Sequence, residues 1–389
     1  MHKAANGVFK GQKCMSASQI ESLSEKINLR QVKKAEKPPF LSWPLIEGWA
    51  GINSKEVREG NWGWKKTPLI PIKVDGNGES HSGEVFIKDE SVNPTGTFKI
   101  RMGWEVARLY AEFAKLCLLR KEAGALDGNL EELPVPSVSI ISAGSAASAI
   151  SYFLKKWNLP PMNVLLDSSI SKKRLENLVS SLHANIYTGD LSRKNFSPEE
   201  IRALTGNKDG IEITSIMLIQ PQRIFYDWHA HEAFNESPCR IFIPYGSGRL
   251  FENYLNWQWE GTAVVGQHDA RLEIAQEKLS AISILAATPE KLDSIAVKLT
   301  AKFNPYALFG ANDIAAMRML GNTGKETGVY KISDYWIWKA HEIIAGAGVK
   351  CEQSAAAGLG LWLYIHRKNG GVVPDQSSKD IIVNTGLGA

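Results

Sequence analysis

The chain has 389 residues, 44% hydrophobic and 22% charged, the proportions of an ordinary soluble globular protein with room for one large domain or two medium ones. Its formal net charge of +4 is small for that length, and basic residues are interspersed with acidic ones. That pattern argues against a nucleic-acid or membrane-surface partner and leaves a mildly anionic small molecule compatible. The start, MHKAANGVFKGQKCMSASQ, lacks the apolar run of a secretory signal, and no later segment offers about 18 uninterrupted apolar residues, so a cytoplasmic location is expected. Cys14, Cys117, Cys239 and Cys351 form no CxxC pair, and no histidine is placed locally to activate one. Reduced, non-catalytic thiols are expected, with Cys239 and Cys351 buried beside strands.

Residues 1–55 read as an N-terminal arm, a candidate cover for a neighbouring subunit. Within it Ser16 can cap a helix running to Lys26, and Pro38-Pro39 should break the basic stretch from Arg30 to Lys37. Beyond the arm, short β-rich runs alternate with helical ones, which predicts α/β layers with parallel strands. Strands are expected at 85–88, 137–141, 163–166, 185–187, 241–244, 263–265, 282–286 and 380–384, and helical apolar spacing covers 146–157 and 172–182. The expected division is into halves at 56–235 and 236–389.

Between Phe86 and Arg101, FIKDESVNPTGTFKIR ends a strand in a Pro/Thr/Gly turn and then presents Lys99 between Phe98 and Ile100. To attack an aldehyde a lysine must lose its proton near neutral pH, and apolar neighbours favour that by partial desolvation. After Ile141, the small residues SAGSAASA (Ser142 to Ala149) open a helix. They serve either as a tight strand-to-helix connection or as a place where backbone N–H groups converge on an anion. FYDWHAHEAF carries His229, His231 and Glu232, but its helical spacing splays the imidazoles onto different faces, so structural or surface roles are expected and no metal. Gly246-Ser247-Gly248-Arg249-Leu250 follows the strand RIFIP and precedes a helix. Glycines let the backbone approach a phosphate closely, and a helix N-terminus favours its charge. Arg249 either adds a charge-assisted contact there or points to solvent. The last motifs are EQSAAAG, from Glu352 to Gly358, and VNTGLG, which contains Thr385.

Taken in order, these segments resemble those of the fold-type II pyridoxal-phosphate (PLP) enzymes, the family of threonine synthase, threonine dehydratase and cysteine synthase. NPTGTFK is closest to threonine synthase, whereas FKIR followed by a small residue is closer to the dehydratases. Thr67-Pro68-Leu69 resembles the TPL segment before the first domain, and residues 163–188 resemble the family's small Rossmann-like subdomain, placed at about 100–187. EQSAAAG and TGLG look like the family's EPSGAA and TGxG. The implied fold is two α/β domains with twisted, mostly parallel sheets and the cofactor in the interdomain cleft, usually as a homodimer.

The resemblance also implies roles. Lys99 would form an imine with PLP and move the substrate's Cα proton. Gly246, Ser247, Gly248, Arg249 and Leu250 would hold the phosphate, Ser145 would approach the 3'-oxygen, and Thr385 would face the ring nitrogen. A neutral hydroxyl there favours elimination or replacement over transamination. Ser142, Ala143, Gly144 and Ala146 would meet the substrate carboxylate. Three departures stand out: Ser145 where the family has Asn, Ala143 and Ala146 where hydroxyls are frequent, and Arg249 where the phosphate loop usually has Gly. One neutral hydrogen bond contributes about 0.5 to 1.5 kcal/mol, so cofactor binding should survive, while carboxylate recognition is left to backbone donors. The implied activity is a threonine synthase-like elimination or replacement on an amino acid. A serine/threonine dehydratase-type ammonia-lyase is one alternative, and a PLP-binding protein without amino-acid turnover, acting through a partner, is another.

Overall fold

The computed structural model describes residues 15–35, 66–75, 78–122, 136–142, 144–192, 196–208, 210–214, 226–260, 262–265, 270–300, 326–375 and 378–387. In chain order its elements begin with α1 (Ala17–Lys26), β1 (Arg30–Lys33), β2 (Leu69–Val74), β3 (Gly83–Asp89), α2 (Lys99–Glu122), β4 (Val138–Ile141) and α3 (Ser145–Lys156). Next come β5 (Met162–Asp167), α4 (Lys172–Ser181), β6 (Ala184–Gly189), α5 (Pro198–Leu204), β7 (Ile211–Glu212), α6 (Asp227–Phe234), β8 (Arg240–Pro244) and α7 (Arg249–Glu260). The last are β9 (Thr262–Val265), β10 (Ala270–Glu273), α8 (Gln276–Ser280), β11 (Ser283–Pro289), β12 (Gly328–Ile332), α9 (Asp334–Gly346), α10 (Ala357–Ile365) and β13 (Asp380–Asn384).

Two mostly parallel sheets organise these elements. The larger has the order β12-β11-β8-β13-β3-β2, with β2 antiparallel at one edge. Its central strands are buried along their length, as parallel strands covered on both faces require. Because side chains alternate, Phe242 and Ile382 pack under α9 and α10 with Leu359 and Trp362, whereas Ile241, Ile243, Ile381 and Val383 face a second core shared with α2 and α3. The smaller sheet is β1-β6-β5-β4-β7, parallel except for β1. Strands β9 and β10 pair with each other in a separate antiparallel ribbon.

Residues 15–35 do not stand away from the body as an arm would. The helix at α1 is capped as expected, with Ser16 and Gln19 forming a capping box. Its Leu23 and Ile27 then pack against Leu165, Phe196 and Ile201, and β1 extends the small sheet. Lys33 Nζ donates to the backbone oxygens of Val179 (2.7 Å) and Leu182 (2.9 Å), tying the basic stretch to the C-terminal end of α4. The small sheet therefore reaches from Arg30 to Glu212, beyond the expected 100–187, while β2 and β3 belong to the sheet of the C-terminal half. The rest of the arm, 1–14 and 36–55, lies outside the described residues.

Cys239 is exposed just before β8, not buried as expected, and Cys351 is half-buried. Cys14 lies outside the described residues. Among the described residues no helix is long and apolar enough to cross a membrane.

One packing contact matters most for the site. Helices α2 and α3 approach so closely that a Cβ on Gly103 would fall 2.5 Å from the backbone carbonyl carbon of Ala149. Any side chain there would push the helix that begins at Lys99 away from the helix that begins at Ser145.

Candidate active site

The segments singled out by sequence meet at the C-terminal ends of β3, β4, β8 and β13. Lys99 follows β3 through a 3-10 turn (Glu90–Val92) and the NPTGT turn, and Thr97 Oγ1 accepts a hydrogen bond from Lys99 N at 3.3 Å. The C-terminal TGLG segment braces that turn. Phe98 N donates to Thr385 O (3.1 Å), and Leu387 N donates to Gly96 O (2.8 Å). Gly386, at φ +119°, sits so near that a Cβ would lie 2.1 Å from Gly96 O, so glycine alone fits.

A single cavity is lined by Lys99, Ser142, Ser145, Ala146, the whole loop Gly246 to Leu250, and Thr385. Gly144 is not in the lining; it caps α3 with φ +118°, and its N–H donates to Ser142 Oγ at 3.0 Å. Ala143 lies outside the described residues. The lining also includes polar residues to which sequence reasoning assigned no role, among them Lys298, Glu352 and Ser354. Glu352 and Ser354 belong to the EQSAAAG motif, so a signal for them existed. Lys298 had none.

Lys99 Nζ lies 2.9 Å from the Tyr226 hydroxyl and sits near the rings of Phe98 (4.8 Å to the centroid) and Tyr226 (5.3 Å). Burial, helped by the positive charge of Arg249, pushes its pKa down to about 8. A useful fraction of the amine is therefore unprotonated near neutral pH. The sequence suggested desolvation by the neighbours Phe98 and Ile100; the structure keeps Phe98 in that role and replaces Ile100, which is buried in the core, with Tyr226. Tyr226 reaches Lys99 across 127 positions of sequence, beyond the range of any local pattern.

Across the cavity is the loop between β8 and α7. Gly248 has φ +79°, and a Cβ on Gly246 would come within 3.1 Å of Lys298 O. Of the two orientations open to Arg249, its side chain takes the one that lines the cavity, with Nη1 donating to Glu252 Oε2 at 2.7 Å. Its Nη2 is buried and has no hydrogen-bond partner among the described residues. An unsatisfied buried cationic donor at the N-terminus of a 12-residue helix is matched to an anion, since the ligand would satisfy both the donor and the helix amides.

Arg101, two residues after Lys99 on α2, belongs to a buried ion cluster. The Arg101 guanidinium donates to Glu90 through Nε and Nη2 (both 3.0 Å) and to Glu232 through Nη1 (2.9 Å) and Nη2 (3.0 Å). Lys88 Nζ donates to Glu232 Oε2 and to Thr67 Oγ1, both at 2.6 Å, and Thr67 donates to Glu90 Oε1 at 2.6 Å. Two cations and two carboxylates are thus balanced away from water. The TPL segment supplies one of its members, and α6, which starts after Tyr226, supplies Glu232. His229 is fully buried beside the cluster, with Nδ1 2.8 Å from Tyr254 OH, and burial pushes its pKa down to about 3, so it is neutral. His231 stacks on Trp228 instead of joining it. Among the described residues no group of His, Cys, Asp and Glu could hold a metal ion.

Neither a protein-family model nor a curated protein sequence matches the chain. Solved structures do. Maize serine racemase aligns with a TM-score of 0.53 at 17% identity, over 86% of this chain and 92% of its own. The diaminopropionate ammonia lyase of Escherichia coli aligns at 0.54 and 14%, over 92% and 93%. A PLP-dependent aspartate racemase aligns at 0.52 and 11%, over 97% of both chains. At these identities the likeness is one of fold.

Proposed function

From the fold of the fold-type II PLP enzymes, which this chain adopts, we propose that the protein binds PLP through Lys99 and catalyses an elimination or replacement on an amino acid, in the manner of threonine synthase. The observation that carries this reading is the meeting, in one cavity, of a lysine with a depressed pKa and an anion site at the N-terminus of α7. PLP, when bound, supplies an aldehyde for amines and a ring that accepts the electron pair left when a Cα proton departs.

The residues present fit that group. Lys99 would supply the amine that holds the group and would take the Cα proton and return it. The Tyr226 hydroxyl, hydrogen-bonded to Nζ, holds the amine on one trajectory. Gly246, Ser247, Gly248 and Leu250 offer backbone donors to the phosphate, and the unsatisfied Nη2 of Arg249 adds a charged one. Thr385, fixed by the bond from Phe98 N to its carbonyl, offers a neutral hydroxyl to the ring nitrogen, and Ser145 offers one to the 3'-oxygen.

Product analysis tests the reaction class. Incubated with L-serine, L-threonine, O-acetyl-L-serine and O-phospho-L-homoserine, the PLP-loaded protein is expected to consume at least one. Ammonia and a 2-oxo acid would mark elimination by the dehydratase-type route, and a new amino acid would mark replacement. If none is consumed although PLP is bound at Lys99, the reading as a binding protein that acts through a partner replaces this one.

A further inference from the structure

The first turn of α3 offers little side-chain grip on a carboxylate: Ala146 has no hydroxyl, and Ser145 is short. The structure brings another donor to the same spot from a distant part of the chain. Lys298, after β11, lines the cavity and extends Nζ to within 3.2 Å of Ser145 Oγ and 2.8 Å of Glu352 Oε2. Its side chain is 14% exposed. An ammonium has three N–H donors, of which these contacts use two.

The segment that carries Lys298 is fixed in place. Lys298 N donates to Ser354 Oγ at 3.2 Å, Leu299 N donates to Ala296 O at 2.8 Å, and Ile295 N donates to Asp334 Oδ2 at 3.2 Å. Burial lowers the Lys298 pKa, but the Glu352 carboxylate at 2.8 Å pulls the other way and favours the charged form. Arg174 of α4 adds to the positive field around it.

We propose that Lys298 is the carboxylate anchor of this site: its ammonium, held by Glu352 beside Ser145, binds the substrate α-carboxylate together with the N-terminal amides of α3. This rests on the PLP reading above and names the residue that makes an amino acid, as opposed to a simple amine, the substrate. Glu352 has a positioning role, keeping the ammonium charged and aimed at Ser145.

Calorimetric binding of two matched probes tests this without turnover. N-(5'-phosphopyridoxyl)-L-alanine and N-(5'-phosphopyridoxyl)ethylamine share ring and phosphate and differ only in the carboxylate. The 389-residue chain, stripped of any PLP, is expected to prefer the alanine compound by about ten- to a hundredfold, the range of a charge-assisted hydrogen bond. Lys298→Met should erase most of that preference while leaving ethylamine binding within about twofold, and Lys298→Arg should restore part of it. Lys298→Met leaves Glu352 unpaired, so the double variant Lys298→Met/Glu352→Gln separates contact from repulsion. A preference still absent in the double variant supports the anchor, and a preference restored there overturns it. A preference that survives Lys298→Met also overturns it. If neither probe binds the unmodified chain, the PLP reading fails and the anchor with it; if both bind equally, the anchor alone fails.

Discussion

Lys99→Ala is expected to reduce turnover by about a thousandfold or more, because in the proposed function one amine serves as both the covalent attachment and the general base, and a positioned general base alone contributes on the order of 10²–10⁴. The loss should fall on kcat more than on affinity for the cofactor, since the phosphate loop and Arg249 are untouched. Lys99 lines a cavity wall and takes no part in the core clusters, so the variant should fold. PLP should still bind to it, and the visible absorption of the lysine-bound cofactor should be missing. Steady-state kinetics with a spectrum of the loaded variant check this. Retention of a tenth of the parent turnover would place the chemistry on another residue.

Arg101→Met is expected to lower stability by about 3–5 kcal/mol, the usual result of removing one partner from a buried ion pair. Arg101 is 1% exposed and neutralises two carboxylates, of which Glu90 is fully buried and Glu232 nearly so. Lys88 alone cannot balance both, and its 3.5 Å separation from Glu90 Oε1 is long for a hydrogen bond. Urea unfolding of parent and variant measures the difference. Adding Glu90→Gln should recover part of the loss, because the remaining Lys88 and Glu232 then balance. A change below about 1 kcal/mol would mean that water reaches the cluster. Because Arg101 lies two residues after Lys99 on the same helix and Glu232 lies on the helix that follows Tyr226, the same variant should also loosen the contact between Tyr226 and Lys99.

The strands missed by sequence share a physical reason. All the expected strands are present, and the central ones, such as RIFIP and DIIVN, are apolar runs because both faces are covered. The overlooked β1, β7, β2 and β12 are the four edges of the two sheets. Edge strands need not be apolar: β1 reads RQVK, β7 is two residues long, and β2 contains Pro71, which an edge tolerates. The remaining one, β10, pairs with β9 in a two-stranded ribbon apart from both sheets.

The site divides along similar lines. Lys99, Ser142, Ser145, the loop from Gly246 to Leu250 and Thr385 were legible because each sits where a strand ends and a turn or helix begins, and there local sequence dictates backbone geometry. Tyr226 reaches Lys99, and Lys298 reaches the cavity, only through tertiary packing. The ion cluster was hidden for the same reason. Its members Thr67, Lys88, Glu90, Arg101 and Glu232 each look like ordinary surface residues until the fold brings them together.

The most direct test of the central claim is chemical. The purified chain is mixed with PLP, reduced with borohydride, digested and mapped by mass spectrometry. The account predicts one phosphopyridoxyl group, on the peptide containing Thr97-Phe98-Lys99. Lys298 lines the same cavity and is therefore the informative competitor. Label on Lys298 or any other lysine, or no label at all, would contradict the assignment of Lys99 and the function built on it.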